Sequence, residues 1–299
     1  MDSIFVIVVT YNGMEWYERC FSSFRMSSIP VTTIAVDNDS QDGTVDYIQR
    51  EFPEIVVIKS PENLGFGKAN NIGIRYALDH GADYVFLLNQ DAWIDSDALE
   101  KLITIHHNNP EYGLLSPMHL NVDRTGLVMK YFCMQSNNEK LITDLYFDRV
   151  ADIYETTYIH AAAWLLPRHT LLTIGGFDPI FFHYAEDDDY LNRLRFHGVK
   201  IGVCPSVRIV HDHHDHPLSQ DSIRYHHNQT LLAKYMDLNH SFSWHSYLFY
   251  YFRKIVRSVL NPMPHRIKDL FQDIIFLLKN ARTINKHRKR NLEIGETWL

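Results

Sequence analysis

The sequence predicts an α/β protein with a mostly parallel central sheet, followed by a basic amphipathic helical extension. Three observations carry that expectation. Short apolar, β-branched runs alternate with helical patterns over the first 120 residues, the order that a parallel sheet with crossover helices requires. Four of those runs lead into polar, turn-forming clusters, and in open sheets of this class ligands bind beyond the carboxyl ends of the strands. After residue 240 the chain turns to long amphipathic stretches and its charge changes sign: residues 241–299 hold eleven Lys/Arg against four Asp/Glu, leaving 18 against 32 for residues 1–240. The expected division is therefore 1–240 and 241–299.

The first apolar run, residues 4–9, is six residues long and follows Asp2, so it reads as a buried strand rather than a signal peptide or a membrane span. Further strands are expected at residues 33–36, 55–58, 84–88 and 114–116, and helices at 15–25, 44–52, 68–79 and 97–108. Tyr190, Leu191 and Leu194 recur at helical spacing up to His197-Gly198, which starts a helix at the acidic residues 186–189. In the tail, Trp244, Tyr247, Leu248, Tyr251, Phe252, Ile255, Val256 and Val259 fall on one helical face, with Arg253, Lys254 and Arg257 toward the other. Pro262 and Pro264 interrupt that pattern, and a second amphipathic helix runs into the basic residues 286–290. No segment has the ~20 uninterrupted apolar residues of a membrane-spanning helix.

The segment Phe181-Phe182-His183-Tyr184-Ala185-Glu186-Asp187-Asp188-Asp189-Tyr190 drives four consecutive carboxylates out of an aromatic run. Like charges beside apolar surface raise one another's pKa and cost stability unless a cation, a helix N-terminus or a ligand offsets them. In the first turn of a helix they meet the favourable end of the macrodipole, so an ordinary acidic helix start stands beside the reading as a reactive site. Asp189 is placed to pair with Arg193 one turn on.

The strand ends carry Thr10-Tyr11-Asn12-Gly13, then Asp37-Asn38-Asp39-Ser40, then Asn63-Leu64-Gly65-Phe66-Gly67-Lys68, then Asn89-Gln90-Asp91. Each also fits a turn or a helix cap. Taken in order with Ala69-Asn70-Asn71, the Ala161 to Arg168 stretch, Gly175-Gly176-Phe177-Asp178 and the acidic block, they resemble family 2 of the inverting glycosyltransferases across residues 4–215. The glycine-rich piece is similar to that of the rhamnosyltransferase and galactofuranosyltransferase subgroup. The resemblance implies the GT-A fold, a Rossmann-like nucleotide-binding domain, and transfer of a sugar from a nucleotide-diphosphate sugar to a hydroxyl of a cell-surface polysaccharide or lipid-linked glycan. Residues 118–155 would then be a variable excursion that shapes the acceptor site.

Such chemistry needs charge stabilisation on the leaving diphosphate and a base for the acceptor hydroxyl. The resemblance assigns the first to a divalent cation, Mn²⁺ or Mg²⁺, held by Asp91 with the neutral Asn89 beside it and His211 as a further ligand. It places Thr10, Tyr11 and Asn12 against the base, Asp37 and Asn38 at its polar edge or the ribose, and Lys68 toward the phosphates. Asn63, Gly65, Asn71, Asn89 and Gln90 complete the implied nucleotide-sugar contacts, with Gly65 and Gly67 open equally to a plain turn. The catalytic base is drawn from Glu186 and Asp187, with Asp187 chosen.

Two alternatives belong to other classes. His211-Asp212-His213-His214-Asp215-His216 matches a metal-binding sequence of binuclear zinc hydrolases, although it stands late in the chain and lacks their further spaced ligands. The neutral Asn89 would also suit a nucleotide-sugar-binding protein without activity. The acidic body argues against a nucleic-acid partner. Cys20, Cys133 and Cys204 lie far apart, which fits a reducing, cytoplasmic setting. The basic tail fits either the inner face of the cell membrane or packing on the catalytic domain or a second copy in a homodimer.

Overall fold

The computed structural model describes residues 2–128, 138–212, 219–241, 243–260 and 264–299. Strand β1 (Ile4–Thr10) sits at the centre of the first half of the sheet and is apolar on both faces. Its alternation sends Ile4, Val6 and Val8 into one core and Phe5 and Ile7 into the other. A strand flanked by two cores reads as an unbroken apolar run, as residues 4–9 do.

Around β1 the chain lays down α1 (Tyr17–Arg25), β2 (Thr32–Asp37), α2 (Thr44–Glu51), β3 (Val56–Lys59), α3 (Phe66–Asp79) and β4 (Tyr84–Asn89). Strands β3, β2, β1 and β4 pair in parallel, with Thr10 beside Asp37 and Val9 beside Asn89, so the polar strand ends lie along one edge. Next come β5 (Ala92–Ile94), α4 (Ala98–Asn108), β6 (Tyr112–Leu120), α5 (Glu139–Tyr146) and β7 (Tyr154–Glu155). The larger body is completed by β8 (Ala163–Pro167), α6 (Arg168–Ile174), α7 (Glu186–Phe196) and β9 (Lys200–His211).

The sheet order is β3-β2-β1-β4-β8-β6-β9-β5, with β7 paired to β9. Beyond β4 it becomes mixed: β8 runs antiparallel to both neighbours, and among the described residues only β6 and β9 pair in parallel there. The strand expected at 114–116 extends to nine residues because it lies along the twelve-residue β9.

The acidic helix α7 is anchored by a fully buried cation. Arg193 pairs with Asp189 at 3.0 Å, and its guanidinium donates to the carbonyls of Ile174 and Gly176 at 2.9 and 2.6 Å. Both side chains are at most 2% exposed.

The described chain forms two compact units, one comprising Met1–His216 with Ile294–Leu299, the other Pro217–Glu293. The boundary expected at 240 falls inside the second unit, which contains α8 (Gln220–Met236), α9 (Trp244–Leu260) and α10 (Pro264–Asn291). The reason is local bonding: the Arg288 guanidinium of α10 donates to the carbonyls of Tyr235 and Asp237, at 2.7 and 2.8 Å, at the end of α8. Inside this unit Asp273 accepts from Arg224 (2.8 Å), His227 (2.9 Å) and Tyr251 (3.2 Å). The apolar face expected on α9 divides, with Tyr247 and Tyr251 buried while Leu248, Phe252, Val256 and Val259 stay exposed. Among the described residues no helix is long and apolar enough to cross a membrane.

Removing one partner of a buried, hydrogen-bonded ion pair strands the other charge. Arg193→Ala is therefore expected to lower the free energy of unfolding by about 3–5 kcal/mol, read by urea denaturation. A loss below about 1 kcal/mol would show that Asp189 finds other partners.

Candidate active site

The polar strand ends line a cleft of about 380 Å³ together with the loop that precedes α7. Tyr11, Asn38, Asn63, Gly65, Asn89, Gln90 and Asp91 reach it, as do Trp16, Phe182 and His183. Among the described residues, none of those lining it is Lys or Arg.

Several of these side chains shape the cleft by holding its backbone. Gln90 accepts from the Tyr11 amide (2.8 Å) and the Tyr17 hydroxyl (3.0 Å), and donates to the Tyr11 carbonyl at 3.2 Å. Tyr11 is thereby fixed while its ring remains 44% exposed. The Asn38 amide accepts from Leu64 N (2.8 Å) and donates to Asn63 Oδ1 (3.0 Å) and the Gly65 carbonyl (3.2 Å). Beneath this layer Thr10 donates to Asp37 at 3.1 Å, and both residues are buried. Asp37 also accepts from Ser40 N, and Asn12 accepts from Gln41 N at 2.8 Å. Thr10, Asp37 and Asn12 thus brace the strand-end turns and are absent from the lining.

Two further expected contact residues lie away from the cleft lining. Asn71 spends its amide elsewhere: it accepts from Phe177 N (2.7 Å) and donates to the carbonyls of Phe177 (2.8 Å) and Trp298 (3.0 Å). Lys68 lies with Arg75 and Trp298 on a separate hollow of about 420 Å³, because the helical turn from Phe66 carries it off the cleft. The glycines also have a structural origin. Gly65 has φ +78°, and a Cβ there would stand 1.8 Å from the Phe182 carbonyl; a Cβ on Gly67 would stand 2.9 Å from Phe177 Cβ. The turn at the start of α3 thus lies directly against the 177–182 loop, and Phe66 N donates to the Phe182 carbonyl at 3.2 Å.

At the end of β4 the antiparallel register of β5 and β9 pairs Ala92 with His211, and so brings Asp91 within 3.3 Å of His211 Nε2. Among the described residues Asn89 Oδ1 and Asp91 Oδ1 are buried and accept no hydrogen bond. The His119 ring meets His211 edge-on and the His160 ring lies tilted near it, with ring centroids 5.6 and 6.2 Å away, and burial holds His119 well below the usual histidine range. Among the described residues no three His, Cys, Asp or Glu side chains form a closed metal cage. One carboxylate, one amide oxygen and one imidazole fit a hard divalent cation that takes its remaining ligands from a diphosphate. Residues 213–216 of the zinc-hydrolase alternative lie outside the described residues, as does Cys133.

The acidic block occupies the first turn of α7, entered through Tyr184 and Ala185 at φ 69° and 67°. Two consecutive non-glycine residues in the left-handed region cost on the order of 1–3 kcal/mol each, and strain of this kind clusters at functional sites. Glu186 is 6% exposed and its Oε2 has no hydrogen-bond partner among the described residues; burial, reinforced by Asp187, pushes it up to about 8. Burial also raises Asp187 and Asp188 above the usual aspartate range. Asp187 accepts from Asp188 N at 2.9 Å and from the Tyr158 hydroxyl at 3.1 Å, and the nearby Ala161 backbone works against the upward push of burial. The next residue, Ala162, accepts from Asn89 N at 3.0 Å. The Ala161–Ala162 backbone therefore lies between the start of α7 and the Asn89–Asp91 element.

Trp16, Phe182, His183 and Tyr158 were not among the sequence-derived candidates. Trp16 donates to Asp212 at 3.2 Å, and Asp212 N donates to the Asp91 carbonyl at 2.8 Å. A tryptophan just after a polar strand end was a usable signal, whereas nothing in the sequence around Tyr158 marks it.

Comparison with known proteins agrees with this geometry. The glycosyl transferase family 2 description matches residues 5–159, just over half of the 299 residues. A hexosyltransferase of low-salt glycan biosynthesis from Haloferax volcanii is 26% identical over 71% of this chain and 68% of its own length. The N-acetylglucosaminyl-diphospho-decaprenol L-rhamnosyltransferase of Mycobacterium tuberculosis is 26% identical over 77% of this chain and 83% of its own. Among solved structures, a mannosyltransferase from Pyrobaculum calidifontis in complex with GDP-Man and Mn²⁺ superposes with a TM-score of 0.56 at 16% identity, covering 97% of this chain and 85% of that one. S. aureus TarS in complex with UDP gives 0.54 at 15% identity, over 96% and 89%. The fold, the ordered strand-end motifs and the family match together show that the chain belongs to glycosyltransferase family 2, as a rhamnosyltransferase-like glycosyltransferase of the GT-A fold.

Proposed function

We propose that the protein moves a sugar, with inversion, from a nucleotide-diphosphate sugar, of dTDP-rhamnose or UDP-sugar type, to a hydroxyl of a growing cell-surface polysaccharide or lipid-linked glycan. The observation that supports this reading is the Ala161–Ala162 backbone, which lies beside Asp187 on one side and accepts from Asn89 N on the other, so that a carboxylate base and the Asn89–Asp91 element could act on one substrate. Relatives that bear rhamnosyltransferase names favour a deoxyhexose donor and a lipid-linked acceptor.

The Tyr11 ring, held open by Gln90, suits stacking on the base, while Asn38 and Asn63 face the nucleotide from the cleft wall. Asp91, Asn89 and His211 would hold a divalent cation, whose charge stabilises the departing diphosphate. Asp187 accepts the proton of the acceptor hydroxyl as its oxygen bonds to the anomeric carbon and the bond to the nucleotide diphosphate breaks on the opposite face. Glu186, carrying a proton at neutral pH, leaves the negative charge on Asp187. Tyr158 and Asp188 N orient that carboxylate.

The helical unit carries thirteen Lys/Arg against five Asp/Glu, and α9 exposes Phe249 and Phe252 at 62% each. This combination suits peripheral contact with an anionic membrane, and hence the inner face of the cell membrane in a cytoplasmic enzyme.

Asp187→Asn is expected to keep donor affinity within a few-fold and to reduce kcat by about 10²–10⁴-fold. Glu186→Gln should retain kcat within about tenfold, because it replaces a protonated acid with a neutral amide. The reverse order of losses would assign the base to Glu186, and a product that retains the donor's anomeric configuration by NMR would exclude a single displacement. Glu186 also sets a pH dependence. Its raised pKa makes it a stabilising neutral group at acid pH, and that contribution fades as pH rises from about 4.5 through about 8. Relative to wild type, Glu186→Gln should therefore melt higher at pH 8.5 than at pH 5.

For the cation, calorimetry of nucleotide binding with and without Mn²⁺ is decisive. Asp91→Ala should lose the Mn²⁺-dependent part of the affinity, and an affinity indifferent to metal in both proteins would remove Asp91 from that role. For the tail, sedimentation with phosphatidylglycerol vesicles should show binding that weakens as salt rises from 20 to 300 mM, roughly a fourfold shortening of the Debye length. No binding at low salt would leave the exposed face of α9 to a second copy.

A further inference from the structure

Residues 294–299 are separated from the end of α10 by two residues, yet they fold with the larger unit. Gly295 N donates to the Thr173 carbonyl (2.9 Å), Gly176 N donates to the Thr297 carbonyl (2.8 Å), and Thr297 Oγ1 donates to the Ile174 carbonyl at 2.9 Å. The segment is thus laced along residues 173–176, with Thr297 only 2% exposed. The turn is shaped to receive it: Gly175 has φ +80°, and a Cβ there would stand 2.0 Å from the Thr297 carbonyl. Toward α3, Glu296 pairs with Arg75 at 2.6 Å and the Trp298 carbonyl accepts from Asn71 at 3.0 Å.

The same turn is gripped by both helices of the active site. From α7, Tyr190 donates to the Gly175 carbonyl at 3.1 Å, and Arg193 donates to Ile174 and Gly176. From α3, Asn71 bonds both the amide and the carbonyl of Phe177. Helix α7 carries Asp187 in its first turn, and α3 begins at the Gly65 turn that lines the cleft. Residues 174–177 are therefore a junction between the base and the nucleotide wall, and residues 294–299 close its outer side.

We infer that residues 294–299 are a positioning strap for the reaction, holding the 174–177 turn so that Asp187 keeps its place relative to the start of α3. The strap touches no reacting atom and acts through Tyr190, Arg193 and Asn71. A shift of about 1 Å at a base costs on the order of 10²-fold in rate, so a segment outside the cleft has leverage on turnover. The inference rests on the reading of Asp187 as base.

The test compares the full chain with one ending at Glu293 and with the full-length Thr297→Val variant, all assayed well below their melting temperatures so that each is fully folded. Truncation should lower kcat at least tenfold while the donor dissociation constant stays within about threefold. The synthetic hexapeptide of residues 294–299, at millimolar concentration, should restore part of the lost kcat. Thr297→Val, which loses one hydrogen bond at nearly constant volume, should lower kcat about threefold with unchanged donor affinity. A lowered melting temperature with unchanged kcat would reduce the strap to a stabilising element and overturn the inference. If the truncated chain does not fold, Thr297→Val decides alone on the same criterion. In an Asp187→Asn background, Thr297→Val should cost less than about twofold, because the base it positions is already gone. An undiminished, additive loss there overturns action through Asp187, whereas near-normal turnover of Asp187→Asn alone removes the base assignment and leaves the strap's effect on kcat to be read separately.

Discussion

The buried guanidinium of Arg193 is the interaction on which the catalytic half of the molecule depends. One side chain neutralises Asp189, satisfies two backbone carbonyls of the 174–176 turn, and lies 4.9 Å from the centre of the Tyr190 ring. The helix that results can carry three further carboxylates at its start because its own charge problem is solved one turn deeper. Without that anchor, the desolvated Glu186, Asp187 and Asp188 would favour any rearrangement that returned them to water.

Charge placement across the site follows a consistent logic. No Lys or Arg lines the cleft among its described residues, so on the proposed reading the negative charge of a nucleotide diphosphate would fall to a cation and to the backbone amides at the start of α3. The carboxylates of α7 stand in the opposite situation, as burial, reinforced at Glu186 by the neighbouring Asp187, pushes Glu186 up to about 8 and lifts Asp187 above the usual aspartate range. The Ala161–Ala162 backbone lies between the two, with the Ala162 carbonyl accepting from Asn89 N at 3.0 Å.

Much of this was legible in the sequence, and the pattern of what was not is instructive. Buried strands and polar strand ends are local properties, so the parallel half of the sheet and the cleft residues Tyr11, Asn38, Asn89 and Asp91 could be read directly. The acidic start of α7 and the Asp189–Arg193 pair were also visible, since helical periodicity places them one turn apart. The positions of Asn71 and Lys68 off the cleft lining could not be read, because a motif gives order along the chain but not which way a helix face turns. Phe177 and Trp298 claimed the Asn71 amide across 106 and 227 residues of separation. The glycines of the 65–67 turn read equally as a nucleotide approach or a plain turn, and the structure adds a requirement neither reading contained, the close approach of Phe182 and Phe177. Tyr158 could not be found at all, for its role exists only once the 156–162 connection meets α7.

The placement of residues 294–299 bears on how the molecule comes into being. The hydrogen bond from Thr297 to Ile174 closes a loop of 123 residues, and that from Asn71 to the Trp298 carbonyl spans 227. Contacts of such long range are late events in folding, because chain entropy must be surrendered before they can form. On a ribosome, the sheet, the cleft and α7 emerge well before the strap that completes them, with all three helices of the other unit synthesised in between. The nascent enzyme would thus have its substrate site assembled but its base unsettled until the helical unit has been made, which ties the onset of sugar transfer to completion of that unit.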